Sequence, residues 1–167
     1  KSQISLAYGR FYQNPKNEYL KFSDNFEAEN TSHIIANYQY VKNNQIFRVE
    51  AYYKDYKDLV KYDTDFVDPS TNFSNNGNGF AKGVDVFWRD GNNIKNLEYW
   101  VSYSYLDTER DYRNYPNKAR PNFASQHNLS IVGKYWIEDW KSQVGLSYNF
   151  ASGRNYTNPN KTGFLNQ

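Results

Sequence analysis

The chain has 167 residues, enough for one domain with its own core, and its 20 basic and 18 acidic residues leave a formal charge of +2. The two signs are interspersed and no basic run could track a phosphate backbone, so composition gives no case for nucleic acid. Only 38% of residues are hydrophobic, but 19% are aromatic (17 Tyr, 11 Phe, 4 Trp), a ring content that excludes a disordered chain, and the lack of Cys excludes disulfides and thiolate metal sites.

No apolar run approaches the roughly 20 residues of a membrane helix, and no signal peptide is visible. That does not exclude a membrane, because a barrel spreads its hydrophobicity over alternate positions. Lys1 opens directly into a strand-like pattern without Met, so the chain is expected to be an internal fragment or a processed product.

Alternation with period two predicts seven strands, at about 2–12, 31–41, 45–57, 79–89, 95–107, 126–137 and 141–152. In each, one set of alternate residues is almost free of charge. The first three offer Ile4, Leu6 and Tyr8; Ile34, Ala36, Tyr38 and Tyr40; and Phe47, Val49, Ala51 and Tyr53. The fourth and fifth offer Val84, Val86 and Trp88, then Leu97, Tyr99, Val101, Tyr103 and Tyr105. The last two offer Leu129, Ile131, Gly133 and Tyr135, then Val144, Leu146, Tyr148 and Phe150. The opposite set is polar and includes Arg48, Glu50, Lys54, Asp85, Arg89, Glu98, Asn128, Ser130 and Lys134.

A half-exposed soluble sheet shows the same alternation. Two features separate the readings. The runs are about twice the ~5–6 residues of an ordinary strand and match the ~9–11 that cross a bilayer at a tilt. Tight turns at Lys42-Asn43-Asn44, Asp90-Gly91-Asn92-Asn93 and Glu138-Asp139 alternate with long polar segments at 13–30, 58–78 and 108–125, and another opens after Gly153. Short periplasmic turns alternating with long extracellular loops is the pattern of outer-membrane barrels. The expected fold is therefore all-β, a segment of an antiparallel up-and-down transmembrane β-barrel with its long loops on one side. Tyr40, Trp88, Leu97 and Tyr135 then fall near the periplasmic interface, and Tyr53, Tyr105 and Phe150 near the outer one. Lys82 is a cation on the apolar set, at its outer end.

Several motifs invite chemistry and receive a plainer reading. Gly77, Gly79 and Gly83 are not followed by a helix or a Gly-Lys-Ser/Thr, so they mark close backbone approach or a bulge, not a phosphate loop. His127 and Ser130 fall on opposite faces of one strand and cannot form a catalytic pair. Glu50, Asp85 and Glu98 share a face, as glycosidase carboxylates would, but Arg48, Lys54 and Arg89 share it too, which favours a solvated ion-pair network. Asp63, Asp65 and Asp68 lack the spacing of an EF-hand. Neither a catalytic residue, a metal nor a cofactor is expected. Loop residues Arg110, Tyr112, Arg113, Tyr115, Lys118 and Arg120, with Arg154 and Tyr156, combine rings and cations that suit an anionic chelate or a sugar, against the plainer reading of ordinary surface loops.

The stretches Glu50–Val60 (EAYYKDYKDLV), Asn76–Arg89 (NGNGFAKGVDVFWR), Leu97–Tyr105 (LEYWVSYSY), Pro121 with His127–Ser130, and Leu146–Arg154 (LSYNFASGR) resemble the barrel strands of TonB-dependent receptors, particularly those of the Bacteroidota type. The resemblance spans nearly the whole chain. It implies a 22-stranded outer-membrane barrel, occluded by an N-terminal plug domain and importing a scarce nutrient with energy from the TonB complex. On that likeness the chain is one barrel-domain fragment over 1–167, without the plug and the final strands. Its partners would be outer-membrane lipid, the plug, the TonB complex and a nutrient ligand. Arg48, Glu50, Asp85, Arg89 and Glu98 would line the lumen, and the loop residues would touch the nutrient first. A soluble β-sandwich that grips carbohydrate with exposed rings, and a barrel that transports nothing, are the alternatives.

Overall fold

A computed structural model describes residues 1–154 except 24, 65, 66 and 116. The elements are β1 (Ser2–Gln13), α1 (Asn17–Leu20), β2 (Glu29–Lys42), β3 (Gln45–Tyr62), β4 (Phe73–Asp90), β5 (Leu97–Asp111), β6 (His127–Ile137) and β7 (Ser142–Ala151). They form one seven-stranded sheet in the order β1-β2-β3-β4-β5-β6-β7, with every neighbour antiparallel. This is a meander without crossovers, open between β1 and β7.

Residues opposed across an antiparallel pair share a face, so register decides what each face presents. One row runs Ile4, Tyr38, Val49, Val86, Tyr103, Leu129, Phe150 across all seven strands. The adjacent row, on the other face, runs Ser5, Asn37, Glu50, Asp85, Ser104, Asn128, Ala151. A slip of one residue at any pair would exchange the faces beyond it.

The apolar face is the more exposed one. On β2, Ile34, Ala36 and Tyr38 are exposed while Ile35, Asn37 and Gln39 are half-buried. On β4, Lys82 and Val84 are exposed while Ala81 and Gly83 are buried. Ile4, Leu6 and Leu146 are 81%, 76% and 77% exposed. Buried apolar side chains among the described residues are confined to Pro15, Tyr19, Leu59, Val60, Ala81, Pro121 and Ala124. No second layer covers the apolar face among those residues, so the β-sandwich alternative fails.

The glycines of β4 permit close approach. Side chains from the neighbouring strands lie across them: Leu59 over Gly77, Arg110 over Gly79 and Tyr52 over Gly83. A Cβ at Gly83 would stand 2.5 Å from the Tyr52 hydroxyl and closer still to the Tyr105 carbonyl oxygen. The close-approach reading of these glycines holds.

The tight turns stand where the sequence puts them. Asn43 and Asn44 adopt φ of 44° and 61°, the left-handed pair of a two-residue hairpin. At the β4–β5 turn the Asp90 carboxylate, 1% exposed, accepts from the backbone N–H groups of Asn92 (2.9 Å) and Asn93 (3.0 Å) and from the side chains of Gln45 and Asn93.

The long segments depart from expectation. Much of 58–78 is strand, because β3 continues to Tyr62 and β4 begins at Phe73; β5 likewise runs on to Asp111. A bulge permits this on β3. Asp58 takes φ 58° and the register with β4 shifts on either side of Leu59. Side chains satisfy the backbone that the bulge frees: Asn75 Nδ2 donates to the Asp58 carbonyl (2.9 Å) and Glu29 Oε1 accepts from Val60 N–H (3.1 Å). Beyond the bulge a small core forms from rings that alternation could not place. Tyr19 of the unforeseen α1 stacks on Tyr62 (5.6 Å) and Phe73 (5.9 Å), and Phe26 meets Phe73 edge-on at 5.4 Å.

Gly83→Val should block assembly of the full-length chain, at a cost above ~3 kcal/mol, whereas Gly133→Ala, where an added Cβ meets nothing within 4 Å, should be tolerated. Heat-modifiable migration of the folded protein on gels reads both. Hydrogen bonds, led by that from Asn92 N–H, hold the Asp90 carboxyl below its ordinary 3.8. Its contribution is therefore full above that value and is lost as pH falls through the depressed one. Denaturant midpoints followed into the acid range should show a steeper decline for wild type than for Asp90→Asn.

Candidate functional site

The polar face gathers Arg48, Glu50, Asp85, Arg89 and Glu98 on β3, β4 and β5, because they occupy same-parity positions in registered strands. Glu50 and Asp85 are directly opposed, and Glu50 accepts from Asn37 Nδ2 at 3.3 Å. Arg89 forks onto Glu98, its Nε 2.8 Å from Oε1.

The expected ion-pair network is only partly present. Arg89–Glu98 is its one pair among these residues; Arg48 and Lys54 turn away from the carboxylates and lie over rings. Arg48 stands 5.6 Å from the Phe87 centroid and Lys54 5.4 Å from that of Tyr52. Lys134 does the same over Trp100 at 5.2 Å. The face is thus a surface of cations on aromatic rings beside two neighbouring carboxylates. Tyr52, Phe87 and Trp100 share the parity of the charged residues, and that parity was the signal for them. Beyond Lys134, along Asn128–Ser130 of β6 and on β7, the same face is uncharged, with Ser102, Ser104, Asn128, Ser130 and Asn149 around a shallow hollow.

The end of this face opposite the tight turns carries the loop candidates. Arg110 crosses Gly79 to place its guanidinium 4.3 Å from the Tyr56 centroid, with Tyr112 and Phe123 each at 5.6 Å. Arg113 lies 5.0 Å from the Tyr112 ring, which meets Tyr115 edge-on at 5.1 Å. Arg110, Tyr112, Arg113 and Tyr115 therefore form one half-buried cluster with Tyr56, and not four free contacts. Burial, then a hydrogen bond with Tyr62, pushes the nearby Tyr19 phenol far above its usual range, so it stays neutral as a donor. Arg154 is exposed beyond β7; Tyr156 lies outside the described residues.

The remaining motifs are structural. Asp63 accepts from Asn72 and Asp68 from Ser70 and Thr71, bonds that hold both carboxyls below their ordinary values and close the loop on itself. Asp65 lies outside the described residues. No group of three possible metal ligands occurs among those described. His127 opposes Tyr105 on the apolar face, where its Nδ1 is 2.8 Å from the Tyr103 hydroxyl, while Ser130 opposes Ser102 on the polar face.

The family model described as TonB dependent receptor-like, beta-barrel matches residues 3–166, and the chain belongs to that family. No curated protein matches it.

Arg110→Ala should loosen the β5 extension by about 1–2 kcal/mol, since both the ring stack and the stem covering Gly79 are lost. Arg110→Lys keeps the charge without the planar stack and should recover only part. Amide exchange over residues 108–113 measures the difference.

Proposed function

We propose that the chain is wall of an outer-membrane import receptor, whose barrel admits a scarce nutrient with energy delivered through TonB. One observation carries this reading: the uncharged residues of seven strands align in rows on one face, which no second layer covers among the described residues. Water makes such a face costly and hydrocarbon makes it favourable. Family membership supports the remainder, since these barrels are bacterial outer-membrane transport receptors and not enzymes.

In this reading Arg48, Glu50, Asp85, Arg89 and Glu98 line the lumen against the plug domain. The ring-stacked cations have their long stems held against Phe87 and Tyr52, so a polar plug surface meets a wall already ordered. Arg110, Tyr112, Arg113 and Tyr115, with Arg154, stand at the mouth and meet the nutrient first, a role that the sequence extends to Tyr156. Rings and guanidinium groups together suit an anionic or planar polar solute.

Two measurements on the full-length receptor test this. Val86→Arg, in the middle of an apolar row, should cost about 2–4 kcal/mol of barrel stability, whereas Ser104→Arg, on the polar face opposite Asp85, should be nearly neutral. Equal effects would mean that the apolar face does not meet lipid. Cells lacking the receptor should also lose energised uptake of at least one member of a panel of scarce nutrients, and an uncoupler should do the same to wild type. Undiminished uptake of the whole panel would remove the import reading.

A further inference from the structure

Where the apolar face ends, at the extracellular side, three cations converge. Lys82 occupies the row of Tyr53, directly above Val84 and Tyr105. Its Nζ is 3.3 Å from Asp107 Oδ2, and Arg120 Nη2 reaches the other oxygen of the same carboxylate at 3.7 Å. Lys82 and Lys118 also share the Phe80 ring, their Nζ atoms 5.3 and 5.2 Å from its centroid. Lys118 and Arg120 are delivered by a short antiparallel bridge in which Ala119 exchanges both backbone hydrogen bonds with Arg110, at 2.8 and 3.0 Å. Arg110 points to the polar side, so the residues flanking Ala119 project to the apolar one. Arg120 is held further by Gln126 (3.1 Å), whose amide reaches the Tyr105 hydroxyl at 3.4 Å.

We infer that this corner binds the phosphate of an anionic lipid headgroup in the outer leaflet; the inference rests on the membrane reading above. Charge and height point to it together. Lys57, Lys82, Lys118 and Arg120 outnumber Asp55, Asp107 and Glu109 on this patch, and Asp55 is already engaged by Lys57 at 3.7 Å. Asp107, shared by Lys82 and Arg120, fixes the spacing of two cations without neutralising both. The tyrosine pair Tyr53 and Tyr105 sits at the last apolar level, where amphipathic rings meet headgroups. A lipid with its chains along the rows of Val84 and Val86 would carry its phosphate to the level of Lys82 and Arg120. A free phosphate ion would gain nothing from that apolar floor.

The test uses the purified full-length receptor in a phosphate-free detergent, with thermal unfolding as the readout. Short-chain phosphatidic acid should raise the unfolding temperature; short-chain phosphatidylcholine and inorganic phosphate at equal concentration should not. The variant K82Q/K118Q/R120Q should bind phosphatidic acid at least about tenfold more weakly, as expected when several near-surface cations are removed. K82R/K118R keeps the charges, and should keep the shift. Should the glutamine variant fail to show heat-modifiable folding, K118Q alone, on an exposed loop residue, should still weaken the response. The proposal is overturned if the folded glutamine variants respond like wild type, if phosphatidylcholine serves as well, or if inorganic phosphate alone reproduces the shift. Nutrient uptake is read separately, so loss of import with the lipid response intact counts against the import reading alone.

Discussion

The structure depends on cross-strand register. Every residue of a strand belongs to one of two rows, and each row continues through the ladder to the next strand. With Tyr38 opposite Val49 and Val49 opposite Val86, the choice of face is made once and inherited by all seven strands. Tight turns enforce it. The left-handed Asn43-Asn44 pair fixes β2 on β3, and the Asp90 carboxylate fixes β4 on β5 by capping the turn between them. A sheet registered this way puts its uncharged side chains on one surface and leaves them without a protein cover. The surrounding medium, not an interior, has to supply the stabilisation.

How far the sequence revealed this varies with the cause acting on each residue. Parity of the apolar residues was legible throughout the band, because hydrocarbon and water select at every second position. The turns at 42–44 and 90–93 were legible from Asn, Asp and Gly. Legibility stopped where neither medium dictates a period. The outer ends of β3 and β4 look like polar loop because their backbone ladder continues in water, where alternation has no meaning. The Asp58 bulge changes parity within a stretch that reads EAYYKDYKDLV, so Leu59 and Val60 are both buried although they are adjacent. The ring cluster of Tyr19, Phe26, Tyr62 and Phe73 joins three separate segments, which no local pattern shows.

The polar face teaches a related lesson. Positions of Arg48, Glu50, Asp85, Arg89 and Glu98 on one face followed from counting, but their partners did not. Opposite charges within reach suggested a salt-bridge network. Arg48 and Lys54 instead cover Phe87 and Tyr52, a choice in which long aliphatic stems gain apolar contact while the charge sits over a ring. Glycines complete this arrangement. Gly79 and Gly83 leave room for Arg110 and Tyr52 to cross from one strand to the next, so the same small residues serve close strand packing and the placement of charge.

The length of the β3–β4 hairpin carries a consequence for encounter. From Tyr53 at the upper limit of the hydrocarbon zone, β3 continues through Tyr62, about 30 Å of chain, or roughly 20 Å of height at a barrel's tilt. A laddered ribbon of that reach works as a mast rather than a tether. Whatever touches its tip does so at a standoff set by covalent geometry, well clear of the lipid surface. A partner that meets this tip can therefore do so without reaching the sheet below Asp58.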